Sequence, residues 1–116
     1  LLAEARGVTE APALCEFFDA RRFETAHNEL PILYERNGAA VYGVIDRVVV
    51  RADEVAVIDY KTHAHARPGD IPRLAASYTA QLHAYAAGVA RLWPGRRVRA
   101  WLVFTACAGA LEVALE

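Results

Sequence analysis

The spacing of apolar residues predicts a helix in the first part of the chain. Between Thr9 and about Phe23, the large apolar residues Leu14, Phe17 and Phe18 recur at intervals of three to four. Residues at this spacing lie on one face of a helix, so this face is expected to pack against the rest of the protein.

The pattern changes from Glu29 to Lys61, where β-branched and aromatic residues dominate. This stretch is interrupted at Asn37-Gly38 and at Arg51-Ala52-Asp53-Glu54. Asn-Gly is the preferred pair for a two-residue type I′ hairpin turn. The stretch is therefore predicted to form an antiparallel meander of three strands.

The remainder of the chain predicts a helix followed by two more strands. We expect a polar loop from Thr62 to Pro72 and then a helix from Leu74 to Trp93, which Pro94-Gly95 ends. Two strands should follow, from Val98 to Thr105 and from Leu111 to Leu115. A helix that joins two strands of one sheet normally makes a right-handed crossover, so the strand from Val98 should run parallel to the one that carries Lys61. The predicted fold is an α/β or α+β sandwich with a mixed sheet.

Composition narrows the class of protein. A chain of 116 residues with 55% hydrophobic content is expected to form one domain, 1–116. Apolar runs are too short for a membrane span, so we expect a cytoplasmic protein. Two separate cysteines cannot build a zinc or iron–sulfur cage. With a net charge of −1, contact with nucleic acid would need a local basic patch. The chain contains no methionine, which suggests an excised piece of a longer chain.

The two turns determine which residues oppose each other in the meander. The Asn-Gly turn pairs Glu29 with Asp46, and the second turn pairs Asp46 with Asp59. Lys61 lies two residues beyond Asp59, so strict alternation places all four ionisable groups on one face. A bulge at Pro31 would remove Glu29 from that register.

The same face is otherwise expected to be apolar, carrying Val44, Val48, Val55 and Val57. Two carboxylates about 4 Å apart at an effective dielectric near 20 repel by roughly 4 kcal/mol, and a divalent cation such as Mg²⁺ removes that cost. Lys61, the only lysine in the chain, could stabilise negative charge that develops on a phosphate. The alternative is a structural ion pair in which Lys61 merely neutralises Asp59.

Three segments together resemble the nuclease domain of RecB and AddA proteins, within the PD-(D/E)xK superfamily. They are Gly43-Val44-Ile45-Asp46-Arg47, Val57-Ile58-Asp59-Tyr60-Lys61-Thr62 and Gln81-Leu82-His83-Ala84-Tyr85. The resemblance runs from about Glu29 to the C-terminus. It is carried by Gly-x-Ile-Asp, a thirteen-residue step to Asp-Tyr-Lys, and a following Gln-x-x-x-Tyr.

That resemblance implies a restriction-endonuclease-like fold and a Mg²⁺-dependent nuclease, with Mn²⁺ as a substitute, that acts on DNA within a repair helicase-nuclease. It implies that Asp46 and Asp59 bind metal with the carbonyl of Tyr60, that Lys61 is catalytic, and that the remaining site residues are Glu29, Gln81 and Tyr85. The alternative function is a non-catalytic DNA-binding or scaffolding module of the same fold.

One departure from the family pattern concerns an upstream helix. Relatives usually carry a histidine on such a helix, and His27 does not match it. We therefore expect weak metal binding and little or no cleavage by this chain alone, and dimerisation that hides the apolar surface such a helix would cover. The helicase portion or partner subunit of a repair complex and DNA are the expected partners.

Overall fold

The computed structural model describes residues 15–61, 69, 73, 78–104 and 109–115. Within these ranges it contains two α-helices and five strands. In chain order they are α1 (Cys15–Phe18), β1 (Thr25–Arg36), β2 (Ala39–Val50), β3 (Glu54–Lys61), α2 (Thr79–Leu92), β4 (Arg97–Phe104) and β5 (Gly109–Val113). The strands form one sheet in the order β1-β2-β3-β4-β5.

The predicted topology is confirmed. Strands β1, β2 and β3 pair antiparallel, whereas β3 and β4 pair parallel because α2 crosses over between them. Strand β5 returns antiparallel to β4, which makes the sheet mixed. The fold is α+β, consistent with the restriction-endonuclease-like core expected from the sequence.

The positions of the two turns are also confirmed. Asn37 and Gly38 both have positive φ, 54° and 81°, as a type I′ turn requires. The resulting register pairs Asn28 with Arg47 and Leu30 with Ile45. The second turn pairs Arg47 with Ile58 as expected.

Apolar residues on the two faces of the sheet form separate cores. Helix α2 covers the larger one through Leu82, Tyr85 and Val89, which pack on valines of β2 and β3 and on residues of β4. Phe17 of α1 is fully buried on the other face. The second half of β2, strand β3 and the end of β4 are therefore buried on both sides. No helix of the described residues is long and apolar enough to cross a membrane.

The first predicted helix differs from expectation within its described part. The α-helix ends at Phe18, and a separate 3-10 turn follows at Ala20–Arg22. Asp19 separates them, since its carboxylate accepts a hydrogen bond from the backbone amide of Arg21 at 3.0 Å. An aspartate that bonds the backbone in this way caps a new turn and does not continue a helix. Residues 9–14 of the prediction lie outside the described residues.

Boundaries of the later elements shift by a few residues. Helix α2 ends at Leu92, one residue before the predicted end, and β4 begins at Arg97. Strand β5 runs from Gly109 to Val113, two residues earlier than predicted. The predicted loop at 62–72, apart from Gly69, and the first turn of the predicted helix at 74–77 lie outside the described residues.

Strict alternation fails near the middle of the β1–β2 hairpin. Ile45 and Val48 both pack under α2. In a regular strand, residues three positions apart point to opposite faces, so the alternation of β2 shifts by one residue between them, which we call a change of phase. Opposite this point, Glu29 has φ of 53°, a left-handed conformation that costs a glutamate about 1–2 kcal/mol. Val44 is consequently 41% exposed, and its predicted place on the site face is wrong.

The same change of phase exposes an apolar patch on the outer face of the hairpin. Leu33 and Tyr42 pair directly and are 73% and 71% exposed, and Val44 lies nearby on β2. We call these three residues the hairpin patch. Large exposed apolar residues placed together favour contact with another surface.

Candidate functional site

The acidic residues lie where β2 and β3 separate. The last pair of the β2–β3 ladder joins Arg47 to Ile58. Beyond this pair, the backbone amide of Tyr60, two residues after Ile58, donates a hydrogen bond to Asp46 Oδ2 at 2.8 Å. A side-chain carboxylate thus takes the place of a main-chain acceptor, which holds Asp46 beside the end of β3.

Asp59 is an acid buried in an apolar core. The residue is 6% exposed, and Lys61 Nζ lies 2.9 Å from its Oδ2. The pKa of Asp59 is raised from its ordinary value of 3.8 to about 6, first by burial and then by contact with the carboxylate of Asp46, against the opposing effect of Lys61. The structure therefore brings Asp46, Asp59 and Lys61 together.

The chemistry of this donor set fits a divalent cation only in part. Asp59 Oδ2 is buried and accepts no well-aligned hydrogen bond from the residues described, despite the nearby ammonium. Two carboxylates that share a buried site repel each other, and a cation or a proton between them removes that cost. Among the described residues, however, no three His, Cys, Asp or Glu side chains lie close enough to hold a metal ion together. Two carboxylates are available, which is an incomplete set for octahedral Mg²⁺.

Helix α2 supplies the polar wall above the acids. Tyr85 is 9% exposed, and its hydroxyl accepts a hydrogen bond from Gln81 Nε2 at 3.2 Å. The pKa of the Tyr85 hydroxyl is raised by burial and then by the charges of Asp59 and Asp46, which shows that the phenol lies near both acids. The predicted pair Gln81 and Tyr85 therefore faces the acidic cluster.

Gly43 makes room for this tyrosine. A Cβ at position 43 would lie 2.6 Å from Tyr85 Cε1 and 3.1 Å from its hydroxyl oxygen. No side chain other than hydrogen fits without moving the ring. The glycine of the Gly-x-Ile-Asp motif thus has a steric role three residues before Asp46.

Lys61 is held by more than its ion pair. Its Nζ lies 4.1 Å from the centre of the Tyr78 ring, in addition to its contact with Asp59. An aromatic face attracts an ammonium group, and the attraction grows where water is excluded. Helical spacing places Tyr78 about one turn before Gln81, and this spacing alone leaves a packing role and a functional role equally open for Tyr78.

Glu29 is the predicted site residue that the structure leaves apart. It is exposed and has the left-handed backbone described above, although it shares an open pocket with Asp46. The expectation that four ionisable groups converge is therefore wrong for Glu29. A bulge at Pro31 is not the cause, because Pro31 pairs with Val44 in the expected register.

Tyr60 contributes its backbone amide to Asp46 while its side chain lies on the opposite face of the sheet. There its ring stacks on Phe18, with centroids 6.4 Å apart and an interplanar angle of 13°. Burial raises the pKa of the Tyr60 hydroxyl. The role of its carbonyl as a metal ligand stays a prediction.

Comparisons with known proteins agree with this arrangement. The model of the PD-(D/E)XK nuclease superfamily matches residues 2–113. A stretch of 69 residues is 33% identical to an ATP-dependent helicase/nuclease subunit of Lactiplantibacillus plantarum, and covers 60% of this chain and 5% of that protein. The chain thus spans about a twentieth of the length of this relative.

Among solved structures, the crystal structure of protein VC1899 from Vibrio cholerae aligns with a TM-score of 0.47 and 16% identity, over 89% of this chain and 22% of that chain. The family match covers nearly all of the chain and includes both aspartates and the lysine of the cluster. The chain belongs to the PD-(D/E)XK nuclease superfamily.

Proposed function

We propose that this chain is the nuclease module of a DNA-repair helicase-nuclease and hydrolyses phosphodiester bonds of DNA with Mg²⁺, for which Mn²⁺ can substitute. The observation that supports the proposal is the buried carboxylate of Asp59, which lies in contact with the carboxylate of Asp46 and has Lys61 Nζ 2.9 Å from its Oδ2. A structural ion pair needs only one carboxylate, whereas two carboxylates in contact repel each other unless a cation or a proton lies between them.

Asp46 and Asp59 would hold the cation, together with the carbonyl of Tyr60. When bound, the cation acts as a Lewis acid and lowers the pKa of water near the phosphate. The amide of Tyr60 fixes the carboxylate of Asp46, so this ligand needs no reorganisation when the cation arrives.

The other residues of the cluster act on charge and position. The ammonium of Lys61 is proposed to stabilise the negative charge that develops on the phosphate oxygens in the transition state. The ammonium lies 4.1 Å from the centre of the Tyr78 ring, and this contact limits where the ammonium can move. Gln81 and Tyr85 form a hydrogen-bonded wall that orients the site from α2. A role for Glu29 as an additional acid stays a prediction.

The context within a larger protein is part of the proposal. The relative from Lactiplantibacillus plantarum is named as part of a helicase/nuclease, and a similar parent chain would provide DNA to this module. Two carboxylates make an incomplete cage, so we expect this chain alone to bind Mg²⁺ weakly and to cleave slowly.

The proposal is tested by cleavage of labelled DNA with Mg²⁺, with Mn²⁺ and with EDTA. Asp59→Asn and Lys61→Met should each lower metal-dependent cleavage by at least about a hundredfold, as loss of a central electrostatic group does elsewhere. Asp53→Asn is the matched control, because Asp53 lies exposed in the turn before β3. Calorimetric titration with Mn²⁺ should show binding by wild type and none by Asp59→Asn.

Cleavage by Asp59→Asn at the wild-type rate would contradict the assignment of this acid. Binding of DNA without cleavage under any metal, by a chain extended upstream as well as by this one, would support the alternative, a DNA-binding module that has the fold but not the activity. An absence of both metal and DNA binding would leave the cluster as a structural ion pair.

A further inference from the structure

Arg47 is the only buried arginine among the described residues, with 9% of its surface exposed. It directly follows Asp46 in the sequence, and its side chain lies on the face of the sheet opposite α2. Several exposed or partly exposed arginines in the described part of the chain pair with acids, namely Arg21, Arg22, Arg51, Arg96 and Arg99. Arg47 forms no ion pair with any carboxylate whose side chain the structure describes.

The groups that contact this guanidinium are neutral in the part of the chain whose side chains the structure describes. Nε donates to the carbonyl of Phe17 at 2.9 Å, and Nη1 donates to Asn28 Oδ1 at 2.7 Å. The rings of Phe18 and Phe23 lie 5.0 and 5.7 Å from the guanidinium carbon. Nη2 donates to no residue in the described ranges.

A buried cation that meets only neutral groups is left without its charge balanced. Taking a charge out of water costs several kcal/mol unless an opposite charge compensates it. Two hydrogen bonds and two aromatic faces offset part of this cost. The remaining donors suit an anion that arrives from outside, and a guanidinium recognises phosphate oxygens through paired N–H groups.

An open pocket gives such an anion access. It has a volume of about 590 Å³ and is lined by Arg47, Asp46 and Tyr60, together with residues of α1 and β1. The pocket thus joins the buried guanidinium to the aspartate that holds the end of β3. The carboxylates of Glu29 and Asp46 line it too, so a free anion would be repelled there more strongly than one delivered with a cation.

We propose that Arg47 binds a phosphodiester oxygen of the nucleic-acid strand next to the phosphate that is cleaved. The inference rests on the proposed function. It adds a contact between Arg47 and the phosphate backbone of the nucleic acid, on the opposite side of Asp46 from Lys61. Contacts of this kind set the register of a strand and carry no sequence preference. Arg47 is therefore a substrate-binding residue that lies one position from a metal-binding one.

The test is equilibrium binding of a short fluorescein-labelled single strand, followed by anisotropy with Ca²⁺ in place of Mg²⁺. Arg47→Met is the variant, because an unbranched apolar side chain keeps the packing between Phe18 and Phe23 while removing the charge. Arg91→Gln is the matched control, since Arg91 is exposed and its guanidinium also lies over a ring, that of Tyr34, at 5.0 Å. Thermal melts establish that each variant is folded.

Two readouts distinguish a phosphate contact from a structural role. Arg47→Met should weaken binding about tenfold and lower the slope of log affinity against log salt concentration by about 0.7, the value for one lost phosphate contact on a single strand. In a scan of strands that each carry one neutral methylphosphonate, wild type should lose affinity about tenfold at one position, and Arg47→Met should lose none there. Arg91→Gln should keep both the slope and the sensitive position.

A wild-type scan in which no single methylphosphonate weakens binding overturns the inference, whether or not the variant folds. So does an unchanged slope or a retained sensitive position in Arg47→Met. If the chain cleaves DNA in Mn²⁺ while the scan is flat, the proposed function stands and the Arg47 inference fails. If the chain neither binds nor cleaves DNA, both fail together.

Discussion

Replacing Asp59 by asparagine should stabilise the metal-free protein at neutral pH. The pKa of Asp59 is raised from 3.8 to about 6, mainly because the carboxylate is buried. At about 1.4 kcal/mol for each tenfold change in proton binding, ionised Asp59 lowers the free energy of unfolding by about 3 kcal/mol relative to a neutral group. This net figure already includes the attraction of Lys61. Allowing for relaxation around the site, Asp59→Asn should gain about 1–3 kcal/mol at pH 7.5.

The pH dependence follows from the sign of this change. The folded state binds the proton of Asp59 more tightly than the unfolded chain does, so stability falls as pH rises from about 4 to about 6. Below pH 4 both states are protonated and the advantage of Asp59→Asn should vanish. Above pH 6 it should be complete.

Urea unfolding in EDTA, followed by circular dichroism at a series of pH values, measures the effect. Asp53→Asn serves as the control for an exposed carboxyl. Equal or lower stability of Asp59→Asn at pH 7.5, or a difference that does not change between pH 4 and 7, would refute the argument from burial. Adding Mn²⁺ should stabilise wild type and not Asp59→Asn, because only wild type retains both carboxylates.

Three further outcomes are expected. Gly43→Ala should lower DNA cleavage at least about tenfold in single-turnover assays and shift the melting temperature little, since the new Cβ displaces the flexible end of Tyr85; an unchanged rate would mean that the ring position does not matter. Tyr78→Leu should lower the cleavage rate about threefold to tenfold through Lys61 and leave Mn²⁺ affinity unchanged by calorimetry. Leu33→Lys should convert a dimer to a monomer in analytical ultracentrifugation, because it places a charge in the hairpin patch; a wild-type monomer at micromolar concentration would exclude that interface.

Local sequence signals were sufficient for the topology and the register. The left-handed Asn37-Gly38 pair favours a tight two-residue hairpin, and the register along β1 and β2 follows from it, apart from the predicted pair of Glu29 with Asp46, which the ladder lacks. The crossover through α2 is equally constrained, because a helix between two strands of a sheet returns with one handedness. Asp59 and Lys61 share a face because side chains alternate regularly between the two faces of the sheet along β3.

Tertiary structure decided where alternation breaks and what surrounds the acids. The change of phase in β2 lies around Asp46, opposite the left-handed backbone of Glu29, and no residue type in β2 signals it before the chain is folded. Glu29 and Val44 were misplaced for this reason. The burial that raises the pKa of Asp59 and the space that Gly43 leaves for Tyr85 depend on contacts between residues far apart in sequence. Whether Arg47 has an ion-pair partner is likewise set by which side chains the fold brings near it, because charge balance is a property of neighbours in space.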